Sequence, residues 1–146
     1  MPLPAEQFLE FDQQGTPLLQ DAATKVAHAK QWQDKYRLLM QLGKLLPVID
    51  DAAKTEDALV DGCESAAWLF HFPLGDLHLF LADSDARIVK GLIVLLLAAT
   101  NGKTTNEILA FDANAYFAEL GLAGQLSPSR SNGLYALAAQ IQRCAQ

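Results

Sequence analysis

The sequence predicts an α+β fold: a small antiparallel sheet packed against several helices. Three observations carry that expectation. Two runs of aromatic and branched residues, Trp68–Phe72 and Leu77–Phe80, flank Pro73-Leu74-Gly75-Asp76, which is the mark of a β-hairpin. Trp32, Tyr36, Leu39, Met40 and Gly43 recur at helical spacing ahead of Pro47. Everything after Asp83 alternates helical periodicity with capping residues.

In chain order, residues 1–15 hold two prolines, three Gln and few apolar anchors, and read as a loosely held N-terminal arm. Thr16-Pro17 reads as a helix start, Thr as N-cap and Pro at the first helical position. Leu18, Leu19, Ala22, Ala23 and Val26 supply its apolar stripe. A stronger helix spans about 30–46 and is stopped by Pro47. Residues 48–61 are acidic and irregular, and Gly62-Cys63-Glu64 stands at the mouth of the hairpin.

Asp83 or Ser84 is expected to cap a buried helix running through Ile88, Val89, Leu92, Leu95 and Leu96 to Asn101-Gly102. Thr104 with Glu107 forms a capping box. Asp112 caps a short helix through Tyr116, Phe117 and Leu120, and Ser127-Pro128 opens the last one. No internal repeat or linker interrupts the order, so residues 1–146 read as one domain.

At 146 residues and 51% hydrophobic, such a chain buries about two thirds of its unfolded surface, which excludes disorder. With 11 Lys+Arg against 17 Asp+Glu, the net charge is −6. No basic stripe runs along the chain, so direct nucleic-acid binding is not expected. Its most apolar stretch, Gly91–Ala99, is far shorter than the ~20 residues of a membrane span. The first residues lack the basic cluster of a secretory signal. Two cysteines make no disulfide framework. The expectation is a cytoplasmic protein with free thiols.

Cys63 is the foremost candidate for chemistry. It follows a glycine and precedes a strand, where a loop thiol would be reachable. The plain alternative is a small buried hydrophobe, the usual fate of a free cysteine. Asp61 and Glu64 disfavour its thiolate, which suits a nucleophile activated only when a partner arrives. Cys144, two residues from the end, reads as incidental. His28, His71 and His78 are scattered, and no CxxC or HxxxH spacing makes a metal site. His71 and His78 read as strand residues with ordinary hydrogen bonds.

Asn101-Gly102-Lys103-Thr104 lacks the upstream glycine of a phosphate loop and reads as a helix stop. Arg130 opposes the helix dipole in the first turn of the last helix, a local cost that hints at another duty. Asp83-Ser84-Asp85 is a sufficient helix start by itself.

These motifs together resemble the SufE/CsdE family of sulfur acceptors for cysteine desulfurases. The resemblance runs from Trp32 to Ile141. It rests on Trp32-Gln33-Asp34-Lys35-Tyr36-Arg37, Leu42-Gly43-Lys44-Leu45-Leu46-Pro47, and Gly62-Cys63-Glu64-Ser65 with Trp68-Leu69. It continues in Asp83-Ser84-Asp85-Ala86-Arg87-Ile88-Val89-Lys90-Gly91-Leu92 and Leu126-Ser127-Pro128-Ser129-Arg130-Ser131-Asn132-Gly133-Leu134.

It implies a SufE/IscU-like fold and a persulfide intermediate on Cys63, accepted from a desulfurase of SufS or CsdA type. The pyridoxal phosphate belongs to that partner, so no cofactor and no metal are expected here. Sulfur then passes to an iron–sulfur assembly scaffold or, in the CsdE branch, to a tRNA-modification protein. By motif position, Asp85 matches the acidic residue that holds the cysteine loop, Arg130 the arginine near the desulfurase contact, and Glu64 a family-typical neighbour.

The family also implies a shallow apolar cavity for the thiol, here with the Trp68 region and the Leu92–Leu96 helix as lining. Two departures stand out: Ala66 and Ala67 replace residues that are often polar or basic and Val, and the first ~30 residues match nothing in the family. IscU-type scaffolds of the same fold use three cysteines, against one here at the right place. A docking-only activator and an independent peroxide-reducing thiol enzyme are the rival functions. Monomer and homodimer are both open.

Overall fold

The computed structural model describes residues 3–62 and 65–146. Seven α-helices and three strands are described: α1 (Ala5–Glu10), α2 (Thr16–His28), α3 (Trp32–Leu42), β1 (Ala67–Leu74), β2 (Leu77–Ser84), α4 (Arg87–Thr100), β3 (Lys103–Thr104), α5 (Thr105–Leu109), α6 (Ala113–Glu119) and α7 (Pro128–Ala145). The strands form one antiparallel sheet in the order β1–β2–β3, so the expected α+β architecture is present.

The first fifteen residues correct the expectation of a loose arm. They are helical, with a π-helical turn at Phe11–Gly15 joining α1 to α2. Phe8 and Phe11 are buried, and Phe8 stacks on Phe72 of β1 with ring centroids 5.5 Å apart. Thr16 is correspondingly not an N-cap. Its backbone is helical, and its hydroxyl donates to Asp12 Oδ1 at 3.4 Å. Pro17 follows directly. A proline there has no N–H to give and presses on the carbonyl four residues back, and the wider π turn accommodates both defects.

In α3, the Lys35 side chain is buried and its ammonium donates to two carbonyls, Val26 at 2.6 Å and Leu120 at 2.9 Å. Val26 lies in the last turn of α2 and Leu120 is the C-cap of α6, so one cation satisfies two helix C-termini, where positive charge is favoured. Lys35→Met keeps the stem and removes both charged hydrogen bonds. At roughly 1.5–3 kcal/mol per such bond, less the recovered desolvation, a net loss of about 2 kcal/mol is expected. Thermal melts should show a drop of about 4–8 °C; an unchanged midpoint would contradict the capping role.

The hairpin turn is tighter than expected, with only Gly75 (φ 59°) and Asp76 between the strands. Pro73 and Leu74 belong to β1. Proline is tolerated because β1 is an edge strand. Leu69 N–H points outward to Ala58 O, and by the two-residue period the nitrogen of Pro73 faces the same outer side. β2 is central and buried from His78 onward.

Asp83 and Ser84 end β2 and do not cap α4. The helix begins at Arg87 behind Ala86, whose N–H donates to Ser84 Oγ at 3.2 Å. The Asp83 carboxylate is occupied by other groups, described below. The remaining caps are as read: the Thr104–Glu107 box, Asp112 accepting from Ala115 N–H, and Ser127 accepting from Arg130 N–H. Lys103–Thr104 adds a short third strand that the sequence did not announce. α4 fills the centre of the core, Leu92 to Leu97 each 1% exposed or less.

Candidate functional site

Cys63 and Glu64 lie outside the described residues, so the site is described through what holds the segment that carries them. Residues 61–66 connect two pinned points. Ahead of them, residues 58–60 run beside β1: Leu69 N–H donates to Ala58 O at 2.9 Å, Leu59 bridges Trp68, and Val60 N–H donates to Ala67 O at 2.8 Å. After them, Ala66 O accepts from the Ser84 hydroxyl at 2.7 Å and from Asp85 N–H at 3.1 Å.

Gly62 has φ 92°, and a Cβ built there would stand 3.4 Å from Ala136 Cβ, so Gly62 itself lies close to α7. A positive φ of this size is strained for any residue with a side chain, which accounts for glycine immediately before Cys63.

Of the other expected site residues, Asp85 is exposed and meets the segment through its backbone N–H. Arg130 lies in the first turn of α7, six residues before Ala136 and therefore about 9 Å along the helix from the Gly62 contact. The thiol of the expected cavity falls outside the described residues; of its expected lining, Leu92–Leu96 lie in the core, each 1% exposed or less, and Trp68 carries the Lys54 ammonium over its ring.

Two residues at this end of the sheet were missed as site residues by sequence reasoning. The carboxylate of Asp83 receives Lys54 Nζ at 2.7 Å, Lys90 Nζ at 3.4 Å and Ser84 N–H at 2.8 Å. Burial works to raise the Asp83 pKa, but the Lys54 hydrogen bond, the Ser84 N–H and the two lysine charges outweigh it and hold the acid below its ordinary value. The same hydrogen bond raises Lys54, against burial. Lys54 Nζ also lies 5.1 Å from the ring centroid of Trp68, the residue opposite Asp83 in the hairpin. The available signals were a lone lysine in an acidic stretch and an acid ending an apolar strand.

His71 and His78 occupy the far end of the hairpin. His71 is four residues along β1 from Ala67, about 13 Å at strand rise, and is thereby separated from the Ala66 anchor. The rings stack on each other. His71 Nε2 and His78 Nδ1 share a hydrogen bond at 2.8 Å, and His78 Nε2 reaches Thr105 Oγ1 at 2.7 Å.

Burial first, and the charge of His78 second, lower the His71 pKa. The folded protein therefore resists a proton that the unfolded chain accepts near pH 6.5. Stability conferred by neutral His71 is present above that value and is lost as pH falls through the lower folded value. The stability difference between wild type and His71→Gln, from urea titrations at several pH values, should shrink from pH 7 to pH 5. A constant difference would remove His71 as its source.

Among the described residues no group of three or more His, Cys, Asp or Glu gathers as a metal site, and no helix is long and apolar enough to cross a membrane.

The family model described as SufE, Fe-S metabolism associated domain, matches residues 20–145. The chain belongs to the SufE family. It is 48% identical over 113 residues to the sulfur acceptor protein CsdE of Escherichia coli (strain K12), covering 76% of each chain. It is 41% identical over 115 residues to an uncharacterized SufE-like protein of Rhizobium etli, covering 76% of this chain and 78% of that one. The fold is shared with the solution structure of a hypothetical protein from Thermus thermophilus, at TM-score 0.67 and 19% identity, over 87% of this chain and 92% of the other. In SufE terms, the residues matched by the family model take in Cys63, Asp83, Asp85 and Arg130.

Proposed function

We propose that this chain is a sulfur acceptor that takes persulfide sulfur from a cysteine desulfurase onto Cys63. The observation that carries the reading is the 48% identity to CsdE, a sulfur acceptor, over most of both chains. The geometry supports it: residues 58–60 before the cysteine and Ala66 after it are held by hydrogen bonds, and Gly62 lies close to Ala136 of α7.

The Cys63 thiolate attacks the outer sulfur of the desulfurase Cys–S–SH. A new S–S bond forms as Cys63–S–SH while the old one breaks, and the desulfurase cysteine leaves as thiolate. Sulfur is transferred with no net oxidant, and rate follows thiolate fraction and access. Emptying the desulfurase lets it turn over again. In this reading the chain is a carrier, not a catalyst, and needs no cofactor or metal. Pyridoxal phosphate is the partner's, and Asp85, Arg130 and Glu64 border the contact. The loaded carrier serves iron–sulfur assembly, a reading supported by a family model described as associated with Fe-S metabolism.

Intact mass spectrometry after incubation with a cysteine desulfurase and cysteine, with sulfide release followed in parallel, tests this. Gain of a sulfur mass removable by reductant supports transfer. Faster sulfide release with no mass gain would instead make the chain a docking activator.

A further inference from the structure

We propose that Asp83, acting through its ion pair with Lys54, is a positioning residue for the segment that carries Cys63; the inference rests on the sulfur-acceptor reading for what that positioning serves. Asp83 joins three pieces of chain that meet at this segment. Lys54 stands at the start of the stretch whose residues 58–60 run beside β1 and lead into residues 61–66. Ser84, whose hydroxyl holds Ala66 O where the segment returns, is the neighbour of Asp83 and donates its N–H to it. Lys90 places α4 on the other carboxylate oxygen.

The pair is not an ordinary surface contact. The Asp83 and Lys54 side chains are 10% and 18% exposed, so water screens the attraction poorly, and removing either partner takes from the other its closest counter-charge, leaving Asp83 with Lys90 at 3.4 Å and Lys54 with the exposed Asp51. Trp68 closes the arrangement: it pairs with Asp83 across the hairpin, bridges Leu59 and carries the Lys54 ammonium over its ring. The entry and the return of residues 61–66 are thus referred to one carboxylate. Asp51 also approaches Lys54, at 3.5 Å, but its carboxylate is 97% exposed and supplies little.

The test is the rate of iodoacetamide modification at each cysteine, resolved by peptide mass. Cys144 serves as internal reference, and the same variants are loaded by a desulfurase. Lys54→Met and Asp83→Asn should each raise Cys63 modification relative to Cys144 by at least about threefold, since a released anchor opens locally. The double variant should add nothing further. Lys54→Arg should restore the wild-type ratio, and Asp51→Asn should stay within about twofold of it.

Equal rises at both cysteines, or an unchanged ratio, would reduce the pair to a stability contact and overturn the proposal. If Asp83→Asn does not fold, Lys54→Met and its Arg counterpart decide alone. The two readings fail separately. A shifted ratio in a protein that never gains sulfur leaves the positioning intact and sinks the acceptor role. Normal sulfur loading with an unchanged ratio does the reverse.

Discussion

Cys63→Ser is expected to take up no sulfur from a cysteine desulfurase and to lose stimulation of sulfide release, whereas Cys144→Ser is expected to behave as wild type. A serine hydroxyl cannot form the S–S bond on which transfer depends, so the loss is complete and not a matter of degree. Cys144 cannot substitute. It is half-buried near the end of α7, and burial raises its pKa against the weaker opposing effects of Gln140 and Arg143. Its thiolate fraction at neutral pH is therefore smaller than that of an ordinary free thiol.

Mass spectrometry of both variants, with sulfide release followed in parallel, checks this. Sulfur on Cys63→Ser would move the acceptor to Cys144. Full stimulation by Cys63→Ser with no sulfur on it would leave a docking activator.

The features readable in the sequence were those whose partners lie within three or four residues. Thr104 with Glu107, Asp112 with Ala115 and Ser127 with Arg130 are local hydrogen bonds, so composition and spacing suffice to place them. The hairpin was legible for the same reason, and only Pro73 and Leu74 were misread as part of the turn. Pro73 is compatible with a strand once β1 is known to be an edge, a fact about strand order that no local pattern contains.

The N-terminal helix failed this test. Phe8 and Phe11 sit among Gln, Glu and Asp, and Phe8 is buried against Phe72, more than sixty residues away. Asp83 failed it too. Asp83-Ser84-Asp85 has the composition of an N-cap, and only the approach of Lys54, twenty-nine positions earlier, gives the first acid a different use. Cys63 stood out through the motif around it, but the bonds that hold its segment connect residues 58, 60, 66, 67, 69, 84 and 85 across the fold.

Gly91→Ala should be the most damaging single methyl in the described core. A Cβ at Gly91 would lie 2.1 Å from Leu39 O, 2.8 Å from Leu39 C and 3.0 Å from Leu39 Cα. These are backbone atoms in the middle of α3, so no side chain can rotate away and the two helices must separate by about an ångström. α4 is packed on all sides, and the gap opens as void between well-fitted surfaces. Such packing losses run to about 4 kcal/mol, while the better helix propensity of alanine returns about 1 kcal/mol.

The net cost, about 3 kcal/mol, is a large part of the roughly 5–15 kcal/mol by which proteins of this kind are stable. Gly124→Ala is the comparison that separates crowding from backbone strain. Gly124 has φ 76° and nothing within 4 Å of a built Cβ, so only the left-handed penalty of about 1–2 kcal/mol applies. Urea midpoints for the two variants should therefore rank Gly91→Ala below Gly124→Ala. The reverse order would mean that α3 and α4 slide apart more easily than their backbone contact implies.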